Sequence, residues 1–349
     1  MGYTQKSAEE KKKEIDAAME KIENALPEVF TSKNFRDYLK FQSKFHHYSV
    51  NNIILIKLQN PNASLVAGYK QWQEKFERQV VQKGAIKIFA PMKYKKLVDK
   101  PVLDEFGDKV FDENGNLKTE KKEVQYVKYR LVNVFDVSQT EGKPLPSLTK
   151  ELEGTDIRAR ALISAIQKVS EFHIAFAGNE NEMIKQGAKG YYSKTFNHIV
   201  IKENMSDLQT AKTLAHEYTH GSLHSNSDKP RDIKEIEAEA TAFVISDYFG
   251  FDTGEYSFPY IAGWAMNQNA ATLHEVLDSI QKNVQAIIDK IEPEFKKELE
   301  LEHELEKEQD LELAFELAVE IPEQFDSKEK AMEYVQERKE VMNSLGRER

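Results

Sequence analysis

The pentapeptide His216-Glu217-Tyr218-Thr219-His220 constrains this chain more than any other stretch. Two imidazoles four residues apart converge on one point when the backbone between them is helical, because i and i+4 then share a face. The sequence predicts such a helix, opened by Ser206 with Gln209 completing a capping box, and carrying LAHEYTHGSLH. Glu217 lies a step round that helix, where it can act as base on water activated by a metal held between the imidazoles. His224, one turn further on, is read as a surface residue or a support for the ligands. Three consecutive turns of one straight helix cannot wrap a tetrahedral ion.

The chain has no cysteine. Disulfides, thiolate ligands and cysteine nucleophiles are therefore excluded, and any Zn2+ must be held by His and carboxylate. A catalytic zinc takes three protein ligands and keeps one position open. After the turn Asp228-Lys229-Pro230, a second predicted helix over IKEIEAEATAFVISDYF stops at Gly250 and offers Glu235, Glu237 and Glu239. Glu235 and Glu239 share a face. We assign Glu235 as third ligand and Glu239 as the carboxylate that orients a ligand imidazole through its other nitrogen, with the reverse assignment open. Tyr191 and Tyr192 precede the strand-like FNHIVI. A phenol there, Tyr192 in particular, would donate to a developing oxyanion, although core packing is the plainer role for an aromatic. His173 and His198 share no ligand spacing with other residues and are read as structural.

A length of 349 residues implies two modules, and 40% hydrophobic with 31% charged residues suits a folded chain. The sequence lacks an apolar run long enough for a signal peptide or a bilayer crossing, so we expect a cytoplasmic protein without membrane contact. The first segment reads as a helix capped by Ser7 and Glu10 and stopped by Pro27. A second helix is expected through FRDYLKFQSKFHHYSVNNIILIKLQ, ending at Pro61. QVVQKGAIKIFAP reads as a hairpin turning at Lys83-Gly84, KYRLVNVFDVS as a half-buried strand, and the charged segment between them, with Asn114-Gly115, as a protruding loop or hairpin tip. Breakers near Pro146 suggest a boundary. A helix from about Ile157 to Glu171 and a strand or hairpin at GYYSKTFNHIVI open the second module. The expected division is 1–147, 148–290 and a helical tail 291–349, with an α+β fold class for both modules.

The formal net charge of −10 argues against a surface that binds nucleic acid all over. Its distribution is uneven. Gly68 to Lys100 holds nine Lys or Arg against three acids, an excess suited to an anionic partner, whereas Glu292 to Glu320 holds twelve acids and three lysines. Single-strand binding asks for a basic groove with aromatic platforms. The candidates are Tyr48, Tyr69 and Trp72 as platforms, Lys70, Arg78, Lys83, Lys87 and Lys93 as phosphate partners, and Asn51 and Asn52 as base or backbone contacts. Each aromatic has core packing as its plainer alternative. The acidic tail reads as a solvated helix on the body or as a docking surface for a protein partner.

TLAHEYTH followed by EIEAEATAF resembles the gluzincin-type peptidases of the ImmA/IrrE kind, which implies Glu235 as third ligand. FHHYSVNNIILIKLQNPNASLVAGYKQWQ with KGAIKIFAP resembles the N-terminal domain of the ArdC antirestriction and LtrC-like families, and FPYIAGWAMN is similar to the helix that follows their metal site. The resemblance spans roughly residues 10 to 290. It implies a single-stranded-DNA-binding domain joined to a zincin-like metallopeptidase, carried by plasmids or conjugative elements and acting on a protein substrate that remains unknown. KFERQVVQKGAIK lacks one cationic position of the family's turn, so the DNA footprint does not transfer whole. Two readings follow: a DNA-tethered zinc peptidase, or a binding protein that shields incoming single strands while its zinc serves structure alone.

Overall fold

The computed structural model describes residues 7–112, 115–145, 155–251, 258, 261–320, 327 and 329–337. Ser7 caps the first helix in both directions: its amide donates to Glu10 Oε2 at 2.7 Å, and its hydroxyl accepts from the Glu10 amide at 3.1 Å. Helix α1 runs Ala8–Val29 and buries Ala18, Ile22 and Leu26. Pro27 lies inside its last turn rather than stopping it. The helix ends two residues later, so little of it depends on the amide that proline lacks. The long second helix is in fact two, α2 (Ser32–Lys44) and α3 (Val50–Gln59). Between them the amides of Phe45 and Tyr48 bond carbonyls only three residues back, and these tight turns break the α-helical ladder.

The chain divides into one unit of residues 1–25 and 51–145 and another of 26–50 and 146–349. In the first, β1 (Val66–Ala67), β3 (Ile86–Pro101) and β4 (Thr119–Asp136) form an antiparallel sheet in the order β1-β4-β3. Its core holds Ile53, Ile56, Ile86, Ile88, Val134 and Trp72, the last on the short helix α4 (Tyr69–Glu74). Past Ala90, β3 and β4 leave this core as a long two-stranded ribbon, paired from Pro91↔Tyr129 out to Pro101↔Thr119. The sequence suggested only a strand and a protruding tip here; within that tip Asn114 falls outside the described residues, and Gly115 adopts φ 80°.

The expected hairpin at Lys83-Gly84 does not form. β2 (Arg78–Val80) pairs instead with β5 (Thr140–Gly142). Arg78 directs that choice: Nε donates to Thr140 Oγ1 at 2.8 Å, Nη2 to the Thr140 carbonyl at 2.8 Å and Nη1 to the Lys143 carbonyl at 2.6 Å. Gly142, with φ 141°, permits the approach, since a Cβ there would lie 2.5 Å from the Glu77 carbonyl.

The second unit contains α5 (Thr155–Val169), β6 (His173–Ala177), β7 (Gly190–Ser193), β8 (His198–Lys202), α7 (Asp207–His224), α8 (Arg231–Tyr248) and α10 (Ala270–Glu320), with short helices α6 (Glu182–Lys185) and α9 (Ile261–Ala265). Its sheet has the order β6-β8-β7, with β6 parallel and β7 antiparallel to β8. Segment 26–50, expected in the first module, packs here because the aromatic face of α2 finds its apolar partners in this unit. Phe35 meets Phe258 edge-on at 5.0 Å, and Ser43 Oγ donates to Asp247 Oδ2 of α8 at 2.6 Å. The tail is not a separate piece from residue 291: α10 continues through it and buries Ile291 and Phe295. Both units mix helix and strand, in keeping with the α+β class. Among the described residues no helix is long and apolar enough to cross a membrane.

Candidate metal centre

Helix α7 is held against the sheet by close packing. A Cβ on Gly221 would lie 2.7 Å from Phe172 Cε2, and one on Gly190 of β7 would lie 2.8 Å from Thr213 Cγ2, so both glycines let elements approach more closely than alanine would. Ser206 caps α7 by accepting from the Gln209 amide at 3.3 Å. The framework fixes His216 and His220 one turn apart, facing α8.

There the two Nε2 atoms stand 3.1 Å apart, and Glu235 Oε2 lies 3.7 Å from each. Three ligand atoms around a tetrahedral zinc with bonds near ~2.05 Å would be roughly 3.3 Å apart. The observed triangle brackets that spacing, so this donor set fits a divalent ion closely. Glu239 Oε2 is 3.2 Å from Nδ1 of His216, within ion-pair reach though not aligned as a hydrogen bond. Glu239 thus stands behind a ligand imidazole, while Glu235 faces the triangle.

The electrostatics agree with a cation site. Burial disfavours charge on His216, yet Glu235 and Glu239 outweigh it and raise its pKa to about 10. The two imidazoles of His216 and His220 beside it hold Glu235 far below the usual carboxylate range. The pocket therefore favours positive charge, which a proton supplies at one imidazole and a divalent ion would supply at all three groups together. Glu217 is buried, and burial raises its pKa despite the opposing pull of both histidines and the Tyr192 backbone amide. That amide is the link from Tyr192 to the site, since the Tyr192 hydroxyl donates to Asn197 Oδ1 at 3.4 Å.

The sequence left Glu237 unassigned and offered His224 as a surface residue or a support for the ligands; both are buried beside the triangle, which rules out the surface reading of His224. Nδ1 of His224 is 3.1 Å from Nδ1 of His220, and Nε2 of His224 is 2.9 Å from Glu237 Oε2. The signal available was the continued i, i+4 spacing of His216, His220 and His224.

The candidate nucleic-acid residues scatter. Trp72 is wholly buried, donating from Nε1 to the Phe135 carbonyl at 2.9 Å, and has no open face for a base. Asn52 is buried and uses both ends of its amide on the Phe89 backbone, at 2.9 and 2.8 Å. Arg78 is engaged with the β5 strand as described, and Lys87 pairs with Glu14 at 3.2 Å. Tyr48 is half-buried, sits in the second unit and packs edge-on against Phe45 at 5.9 Å. Half-buried Asn51 turns its amide to Met19 Sδ at 4.0 Å. Tyr69, Lys70, Lys83 and Lys93 are exposed.

The ribbon holds a set that sequence reading missed. Tyr94 and Tyr126 face each other across the strands and stack at 5.6 Å, and Lys128 Nζ lies 5.0 Å over the Tyr94 ring. Strand alternation places Lys96, Lys128 and Arg130 on that face, with Lys93 and Tyr129 on the other. Two-residue alternation on a strand exposed on both sides gives no burial pattern to read, which is why the set escaped notice.

Fold and site together define a metallopeptidase-like domain: an antiparallel edge strand over a helix bearing H-E-x-x-H, with a glutamate from the next helix beside the two imidazoles. The model of the IrrE N-terminal-like domain matches residues 181–277, and that of the N-terminal domain of anti-restriction factor ArdC matches residues 5–135. The chain thus carries a region similar to the N-terminal domain of ArdC followed by one similar to the IrrE N-terminal domain. An uncharacterized protein of Bacillus anthracis is 28% identical over 302 residues, covering 76% of this chain and 49% of that protein. The chain thus spans about half the length of the curated relative it matches. Two crystal structures of the antirestriction ArdC protein from plasmid R388 are similar at 17% identity and a TM-score of 0.40. The metal-free one covers 72% of this chain and 86% of its own, the Mn(II)-bound one 71% and 85%.

Proposed function

We propose that this protein is a cytoplasmic zinc-dependent peptidase that binds single-stranded DNA and acts in antirestriction or conjugative transfer. One observation carries the peptidase reading: His216, His220 and Glu235 converge at ligand spacing with the buried carboxylate of Glu217 alongside. His216, His220 and Glu235 would hold the ion, leaving one position open, and the ion when bound supplies Lewis acidity toward a peptide carbonyl. Glu217, less acidic than an exposed glutamate, takes a proton from the attacking water and delivers one to the departing amine. Among the described residues β7 pairs only with β8, so its other edge is open to an extended peptide, which suits a protein substrate. Glu217→Gln is the test. Cleavage of a protein substrate should cease while zinc and DNA remain bound, and continued proteolysis by this variant rules out Glu217 as the base.

A second reading, a DNA-shielding protein whose zinc is only structural, is favoured by the ribbon. Its stacked tyrosines and cations present base platforms and phosphate partners on one face, and Tyr69, Lys70, Lys83 and Lys93 add exposed groups elsewhere in the same unit. Full-length protein should bind a single-stranded oligonucleotide with affinity that falls as salt rises. Strong DNA binding together with zinc retention and no hydrolysis of any protein would favour this reading over the first.

A further inference from the structure

We propose that His224 and Glu237 form a buried relay that fixes the tautomer and orientation of His220. The inference rests on the reading of His220 as a metal ligand through Nε2, the nitrogen that faces His216 Nε2 and Glu235. A lone pair on Nε2 requires the ring hydrogen on Nδ1. Nδ1 of His220 is 3.1 Å from Nδ1 of His224, and two ring nitrogens so close make a hydrogen bond only when one carries the hydrogen. His220 therefore donates and His224 accepts.

That choice sets the next one. With its Nδ1 accepting, neutral His224 carries its hydrogen on Nε2, which lies 2.9 Å from Glu237 Oε2. The remaining oxygen of Glu237 accepts from Lys229 Nζ at 2.6 Å, and Lys229 Nζ also donates to Ser279 Oγ at 3.0 Å. The donors and acceptors run one way, from His220 to His224 to Glu237, and an ion pair with Lys229 ends the run. Reversing the tautomer of His224 would turn its Nδ1–H on the Nδ1–H of His220 and a lone pair on the carboxylate, breaking both links.

Burial makes the arrangement decisive. The side chain of Glu237 is 0% exposed and that of His224 3%. A carboxylate so placed is costly unless paired, and both its oxygens are used. His216 is supported differently, by Glu239 directly behind it. The two ligand imidazoles thus rest on separate carboxylates, one at first hand and one through a second imidazole.

Zinc affinity of the full-length protein, measured by competition with a chromogenic chelator, tests the relay. His224→Phe should weaken zinc binding by about ten- to a hundredfold, the range typical when the partner of a ligand imidazole is lost. His224→Gln, which retains an acceptor and a donor, should recover much of that loss. The melting temperature of the zinc-free protein should change similarly in both variants, and the visible bands of the Co(II)-loaded protein should shift in the phenylalanine variant alone. Unchanged zinc affinity in His224→Phe overturns the relay, and so does equal weakening by Phe and Gln, which marks packing damage rather than lost hydrogen bonding. If neither variant folds, Glu237→Gln replaces them. It should weaken zinc binding over the same range, and wild-type affinity would overturn the relay. A wild-type protein that binds no zinc overturns the ligand assignment itself and the relay with it, an outcome distinct from relay failure in a zinc-binding protein.

Discussion

The α7–α8 pocket and the β3–β4 ribbon both gather charge and aromatic rings, but they use them in opposite ways. In the pocket, Glu237, Lys229 and His224 are satisfied within the protein, and the triangle of His216, His220 and Glu235 faces one point. On the ribbon, Tyr126 is 39% exposed and Tyr129 59%, and the cations beside Tyr94 and Tyr126 stand in solvent. A site for a small cation must be built in advance, because an error of half an ångström spoils its geometry. A surface for a flexible polyanion needs only unspent charge and ring faces at suitable intervals.

The contrast can be sharpened by substitution. In the pocket, His220→Ala removes a ligand and should lower zinc affinity by well over a hundredfold, whereas Glu239→Gln removes only a support and should cost about ten- to a hundredfold. Chelator competition measures both, and equal losses would show that the two residues are not ligand and support. On the ribbon, Tyr94→Ala or Tyr126→Ala should weaken oligonucleotide binding by roughly 1–3 kcal/mol. Lys128→Ala or Arg130→Ala should flatten the plot of log affinity against log salt by about one unit each. Lys93→Ala, on the opposite face, should change less than either. A Lys93 effect equal to that of Lys128 would place the DNA off the tyrosine face.

The smallest effect concerns the sheet that carries the ribbon. Asp136 accepts from the amides of Ser64 and Ser138 at 2.8 and 3.0 Å and from Ser138 Oγ at 2.6 Å. Burial raises its pKa, but these hydrogen bonds outweigh it, and the folded pKa falls below the ordinary carboxylate value. With the folded pKa depressed, the contribution to stability is present above about pH 4 and is lost as pH falls through the folded value. Asp136→Asn should cost about 1–2 kcal/mol in denaturant unfolding near neutral pH, and less under acid conditions. A loss that grows on acidification would contradict this sign.

The pocket was far more legible in the sequence than the ribbon. H-E-x-x-H states its own geometry, since helical spacing alone aligns His216 with His220, and the short connection to α8 brings Glu235 across. His224 and Glu237 were less legible, because burial distinguishes a supporting imidazole from a solvated one and the sequence does not print burial. In the first unit, aromatic character misled for the same reason: Trp72 reads as a platform but fills the core. Pairing at a distance was hidden as well. Nothing near Arg78 announces β5, some sixty residues away, and the aromatic face of α2 does not reveal which module it will pack with.

Metal content is the most direct measurement. Purified wild-type protein should contain about one zinc per chain by elemental mass spectrometry, retained in Glu239→Ala to a greater extent than in Glu235→Ala, which should be nearly empty. A wild-type protein that carries no zinc and takes up none when zinc is supplied would contradict the metal centre, and with it the peptidase.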